Sequence, residues 1–222
     1  MIFVHEPVNI QEAERVEIDG KRFYQSPNTL EYYPSITTAL KGFKKDMIDK
    51  WIARIGEDAA EKIRNKASYR GDSIHALCES YLENRLDLTG VAGHFKTIFN
   101  EAKIVLDKHV GTIYGIEKRL FSDKLKLAGT ADLISMWDGE LAVIDFKTSR
   151  WMKSAKDIDN YFMQAAGYAA MYYERTGLTP KKIVIILCSE YEGPVVYVRQ
   201  PGVYLDMLVK YMKNMQTETA FG

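Results

Sequence analysis

GTADLISMWDGELAVIDFK, residues 129–147, sets two apolar runs on either side of Asp138-Gly139. An Asp-Gly between apolar runs is the strongest short-range hairpin signal, so the two runs are predicted to be antiparallel neighbours. Alternate side chains of a strand share a face, which puts Asp145 and Lys147 together and Phe146 on the opposite side. Charged groups set among Val143, Ile144 and Phe146 are costly unless a partner or a metal compensates them. The turn also fixes the register, and a slip of one residue would turn Asp145 and Lys147 to the wrong face.

Working outward, Thr112–Phe121 reads as a strand before the hairpin, followed by a polar turn at SDKLK. Beyond the hairpin, Asp157–Arg175 has helical periodicity and stops at Thr176-Gly177, with Pro180 after it. KKIVIILCSE and GPVVYVRQ are two further strands, and a last helix covers about Val203–Met215. Upstream, VEIDGKRFYQ is a small hairpin around Asp19-Gly20, and Ser35 or Thr37 suits the N-cap of a helix reaching Leu40. From Lys45 to Lys66 the residues Met47, Ile48, Trp51, Ile52, Ile55, Ala59, Ala60 and Ile63 recur at helical spacing, in two helices hinged near Gly56. In the helix after Arg70-Gly71-Asp72-Ser73, Ile74, Leu77, Cys78, Tyr81 and Leu82 form one stripe, while His75 and Glu79 share another face. Gly93–Lys108 is a further helix whose candidate core side is Phe95, Ile98, Phe99, Ala102, Ile104 and Val105.

At 222 residues the chain can bury one substantial core, read as a single domain over 1–222: a hairpin and helical part over 1–68 and the main body over 69–222. Thirty basic residues balance thirty acidic ones, so any nucleic-acid groove must be a local patch. Two cysteines, Cys78 and Cys188, exclude a disulfide framework and a four-cysteine metal cluster. The opening residues carry no export signal and no apolar run could span a bilayer, so a cytoplasmic protein without a membrane partner is expected.

Hydrolysis of a phosphodiester needs an activated water and a means of bearing charge on phosphate oxygens, which hard divalent cations supply. Asp132 and Asp145 at the end of a sheet are candidate ligands for Mg2+ or Mn2+, with the backbone carbonyl of Phe146 completing the set. Lys147 is placed to orient the water or stabilise phosphate charge. His75 offers an imidazole ligand, and Glu79 a contact through a water. Glu117, one strand earlier, is either an extra acid facing the metals or the partner of a neighbouring lysine.

The order His75, then Gly129-Thr130-Ala131-Asp132, then Asp145-Phe146-Lys147-Thr148, then Gln164-Ala165-Ala166-Gly167-Tyr168 resembles the RecB-like branch of the PD-(D/E)xK nucleases. That branch carries a helical histidine, a GxxD aspartate, a D-x-K triplet and a Q-x-x-x-Y helix. YPSITTALK (Tyr33–Lys41) and RGDSIHALCESYL further resemble the mitochondrial genome maintenance exonucleases and their phage relatives. The resemblance implies an α/β fold with a restriction-endonuclease-like core: a central mixed sheet flanked by helices, with an N-terminal helical part roofing a cleft. It implies a metal-dependent exonuclease acting on single-stranded DNA or strand ends, in a bacterial or phage-infected cell and alongside replication or recombination proteins. His75, Asp132, Asp145 and Lys147 then carry catalysis, and Gln164 and Tyr168 approach the substrate backbone. Several relatives hold an iron–sulfur cluster on four cysteines; with two here, none is expected. A non-catalytic DNA-binding subunit and a structure-selective endonuclease of the same fold remain the alternatives.

Candidate DNA contacts are Arg70, Arg150, Trp151, Lys153 and Tyr168, with Lys156, Lys124 and Lys126 as further cations. Among Tyr32, Tyr33, Trp51, Trp151 and Tyr161, which could stack on unpaired bases, Trp151 is favoured because it lies just beyond the D-x-K triplet in the basic stretch SRWMKSAK.

Overall fold

The structure, a computed structural model, describes residues 1–220, and side chains at all of these except Lys156 and residues 216–220. At its centre is a five-stranded sheet in the order β4 (Val110–Ser122), β5 (Leu127–Trp137), β6 (Glu140–Ser149), β7 (Lys182–Ser189), β8 (Gly193–Arg199). All its neighbours pair antiparallel except β6 and β7, which run parallel. A parallel pair needs a crossover, and α5 (Asp159–Thr176) supplies it. The expected hairpin is present, with Trp137 paired to Glu140 and both turn residues in the left-handed region, Asp138 at φ 48° and Gly139 at φ 79°.

Helices cover both faces. α3 (Glu57–Leu82) and α4 (Gly93–His109) pack against Leu133, Ile144, Phe146, Val184 and Ile186 on one side. On the other, α5 and α6 (Pro201–Ala220) pack against Ile134, Val143, Ile183 and Ile185. A second sheet of β1 (Glu14–Ile18), β2 (Lys21–Gln25) and β3 (Tyr32–Pro34) leans on the start of β5 through Tyr24 and Tyr33, both buried against Phe121 and Ala128. Tyr33 is therefore not free to stack on a base. Ser35 caps α1 (Ile36–Ala39), accepting from the Thr38 N–H, and a 3-10 turn over Leu40–Lys44 leads into α2 (Lys45–Ile55). Gly56, at φ 86°, separates α2 from α3.

Several expectations change in detail. In α4 the buried side is Phe95, Ile98, Phe99, Ala102 and Leu106, whereas Ile104 is exposed. Ile104 lies nine residues from Phe95, about half a turn out of phase at 3.6 residues per turn. Of the stripe over Lys45–Lys66 only Ala60 is buried, and Met47, Ile48 and Ile63 are largely open to solvent. The strand expected at Thr112 begins at Val110, a 3-10 turn over Ala155–Ile158 precedes α5, and the closing helix is longer than its periodicity indicated. Among the described residues, no helix is long and apolar enough to cross a membrane.

Candidate active site

A cleft of about 470 Å³ opens at one end of the central sheet, lined by His75, Glu79, Glu117, Asp132, Lys147, Gln164 and Tyr168 together with Arg22, Thr37 and Thr130. Several elements converge on it. α3 brings His75 and Glu79, one turn apart on the face away from its buried stripe. β5 brings Asp132, β6 brings Asp145 and Lys147, and α5 brings Gln164 and Tyr168.

The groups are tied to one another. Asp132 Oδ2 accepts the Phe146 N–H at 2.8 Å, which locks the aspartate of β5 to the neighbouring strand. His75 Nδ1 lies 3.5 Å from the same oxygen, and its ring meets the Phe146 ring edge to face. Asp145 is buried; its Oδ1 accepts from Gln164 Nε2 at 3.1 Å, while Oδ2 forms an ion pair with the Lys147 ammonium. Gln164 Nε2 also donates to the Tyr168 hydroxyl at 3.3 Å. The Tyr168 ring in turn lies on Gly129, where a Cβ would come within 2.8 Å of the ring and of its hydroxyl. The glycine three residues before Asp132 thus answers to a helix forty residues further on.

Charge in the cleft is unbalanced. Loss of hydration raises the Asp145 carboxyl to about 6; Lys147 opposes the rise and Asp132 adds to it. Burial pulls on the Lys147 ammonium, yet Asp145 and Asp132 more than offset this and hold it above its usual value. Glu117 is exposed at the rim of the cleft, yet partial loss of hydration and the charges of Asp132, Glu79 and Asp145 push it up to about 7. Burial, then Asp145 and Asp132, lift the Tyr168 hydroxyl well above its ordinary range, so it stays protonated.

The other sequence candidates lie around this cleft. Glu79 is half buried and 3.5 Å from Arg85. Arg70 pairs with Glu190 at 3.1 Å, joining α3 to the turn after β7, and lines a neighbouring hollow with Lys66, Tyr69, Arg150 and Tyr191. Arg150 lies over the rings of Trp151 and Tyr191, which are themselves 4.8 Å apart and both more than half exposed. Lys153 donates to the Tyr161 hydroxyl at 3.0 Å and lines a third hollow beneath Met47 and Ile48 of α2. Tyr168 is too deeply buried to present a face to solvent. Lys126 is held by Glu31, and the Lys156 side chain lies outside the described residues. Sequence reasoning missed Arg22, Thr37 and Tyr191. Arg22 Nη2 donates to Thr37 Oγ1 at 2.7 Å at the edge of the cleft, joining two segments whose local patterns read only as hairpin and helix cap.

The central sheet thus carries two aspartates and a lysine on neighbouring strands. The sequence pattern of the PD-(D/E)XK nuclease superfamily matches residues 21–219, and the chain belongs to that superfamily. Among curated proteins it is 25% identical over 124 residues to mitochondrial genome maintenance exonuclease 1 of Mus musculus, a match covering 52% of this chain and 37% of that protein. The match thus spans little more than a third of the relative's length. Among solved structures, an exonuclease candidate from Eubacterium rectale superposes with a TM-score of 0.43 at 16% identity, over 67% of this chain and 65% of that one. SSO0001 superposes with a TM-score of 0.43 at 16% identity, over 82% and 74%.

Proposed function

We propose that the chain is a divalent-cation-dependent exodeoxyribonuclease, hydrolysing phosphodiester bonds of single-stranded DNA or at strand ends. The observation that carries the reading is the juxtaposition of Asp132 and Asp145 on paired strands, with Lys147 on one carboxylate and Gln164 on the same one. The donor set suits a hard cation: carboxylate oxygens, one imidazole and an excess of negative charge left after Lys147 is counted. Asp132, Asp145, the Phe146 carbonyl and His75 would hold Mg2+ or Mn2+, with Glu79 acting through a water. Such an ion supplies charge neutralisation on phosphate and a more acidic water.

The chain's own groups do the rest. Lys147, held charged, donates to the attacked phosphate or to the incoming water. Gln164 fixes one Asp145 oxygen, and Tyr168 fixes Gln164, so the carboxylate faces the cleft in a single orientation. Tyr168 acts here as a positioning residue resting on Gly129. Trp151, with Tyr191 beside it and Arg150 above both, forms an exposed platform on which an unpaired base can stack while the guanidinium meets phosphate. Lys153 and Arg70 continue the basic margin on either side. These exposed rings favour unpaired strands, because bases within a duplex are already stacked.

End-labelled linear single strands, the matching duplex and a closed circular single strand, each incubated with Mg2+ and with chelator, test the reading. Cation-dependent release of short products from the linear strand, with the circle intact, is expected. A nicked circle would assign endonuclease action. Binding without cleavage in either Mg2+ or Mn2+ would leave a DNA-binding subunit.

A further inference from the structure

The acids of the cleft do not form one equivalent set. Asp145 is buried and engaged by Gln164 and Lys147. Elsewhere in the cleft, His75, Glu117 and Asp132 each present a ligand atom, all within 4.8 Å of one another. An octahedral cation with bonds of about 2.1 Å places its ligands roughly 3 to 4.2 Å apart, so small rotations of three side chains suffice to close on an ion. His75 Nδ1 and Asp132 Oδ2, at 3.5 Å, already stand at such a spacing.

Glu117 comes to this place through a local irregularity. Pairing of β4 with β5 shifts at Ile113 and Gly115, then passes from Ile116 opposite Leu133 to Lys118 opposite Ala131. Glu117 therefore stands across from Asp132, with its backbone at φ 47°. Among the described residues its carboxylate has no hydrogen bond and no ion pair, and the acids Asp132, Glu79 and Asp145 act on it against Arg22. A glutamate that served only the surface would find more favourable surroundings turned outward, as its neighbour Lys118 does in pairing with Glu12.

We infer that Glu117 is a further ligand for the divalent cation that His75 and Asp132 would hold, reaching it from the side of the cleft away from Lys147. This rests on the cation-dependent reading above and adds to it a carboxylate from β4. Its role is to hold the ion on the face of the cleft nearest α3, where an incoming phosphate would meet it.

Titration of the metal-free full chain with Mn2+, following free Mn2+ by electron paramagnetic resonance, tests the assignment without any turnover. Glu117→Gln and Glu117→Gly are expected to weaken Mn2+ binding at least tenfold or to remove one ion per chain. Glu140→Gln, an exposed acid at the hairpin turn, is expected to bind as the wild type does. Because glycine suits φ 47°, the Glu117→Gly chain without metal should melt no lower than the wild type. Unchanged Mn2+ binding in both Glu117 variants overturns this assignment alone, whereas a wild type that binds no Mn2+ overturns it together with the cation-dependent reading. A clear drop in melting temperature in both variants would give Glu117 a structural role and overturn the inference as well.

Discussion

Two regions near the cleft use apolar surface on opposite terms. β5, β6 and α5 are packed from both sides: Leu133, Ile134, Val143, Ile144, Phe162, Met163, Ala165 and Ala166 are fully buried, and the candidate site groups stand on that packed layer. α2 is as amphipathic in sequence, yet none of its residues is buried, and Met47 and Ile48 line hollows shared with Lys153. The contrast separates two uses of apolar surface. In the sheet it fixes positions, since close-packed neighbours let a carboxylate move little. In α2 it is left open to solvent, among cations such as Lys44, Lys50 and Lys153, and would suit a ligand with apolar faces and a charged backbone.

The largest effect should come from the packed side. Lys147→Ala is expected to lower cleavage by roughly a thousandfold or more, in the range for loss of a group that stabilises transition-state charge. The chain should stay folded by circular dichroism, with Asp145 taking up a proton in place of its lost partner. Substantial cleavage in this variant would remove the reason for placing the lysine in the chemistry. Next is Gly129→Ala, which forces a methyl group against the Tyr168 ring. A cost of about 1–3 kcal/mol in urea unfolding is expected for such overpacking, with reduced cleavage as Gln164 loses its support. An unaltered midpoint would mean that α5 shifts freely and that the two regions differ less than their burial indicates.

The open side should respond differently. Replacing Met47 and Ile48 with Ser is expected to change stability by under about 0.5 kcal/mol each, as for exposed positions. KM for a single-stranded oligonucleotide should rise several-fold with kcat little changed. A marked loss of stability would show that α2 packs on something its exposure does not reveal. Trp151→Ala should weaken single-strand binding by about 1–3 kcal/mol if one base stacks there, and should spare duplex binding.

The smallest effect is one of pH. Without metal, folded Asp145 near 6 and Glu117 near 7 hold protons more tightly than the unfolded chain does, where both titrate near 4. These two groups therefore stabilise the fold as pH falls from about 7.5 to 5.5, and that contribution is lost as pH rises through 6 to 7. Melting temperatures of the metal-free wild type should rise over this acidification by roughly a few degrees relative to an Asp145→Asn, Glu117→Gln variant. Parallel curves for the two proteins would contradict the strained electrostatics of the cleft.

What was legible in the sequence follows the same division. The hairpin of residues 129–147 was readable because its signal is local: an Asp-Gly turn and strict alternation set pairing and facing within twenty residues. His75 and Glu79 shared a helix face for the same local reason. Glu117 was harder, because the irregular pairing of β4 at Ile113 and Gly115 alters the phase that simple alternation would give. Tyr191 had no local mark at all; the parallel pairing of β6 with β7 brings it to Trp151 from forty residues away. The openness of α2 was equally hidden, since periodicity shows that a helix has an apolar face and says nothing of what covers it. Even Gly129, visible as part of a motif, gained its physical reason only from the Tyr168 ring.

The most direct test of the whole is the purified Asp132→Ala, Asp145→Ala chain with an end-labelled single-stranded oligonucleotide in Mg2+, beside the wild type and a chelated control. The account predicts cleavage by the wild type, none with chelator, and none by the folded double variant at any concentration that still binds the strand. Chelator-sensitive cleavage retained by the double variant would contradict it.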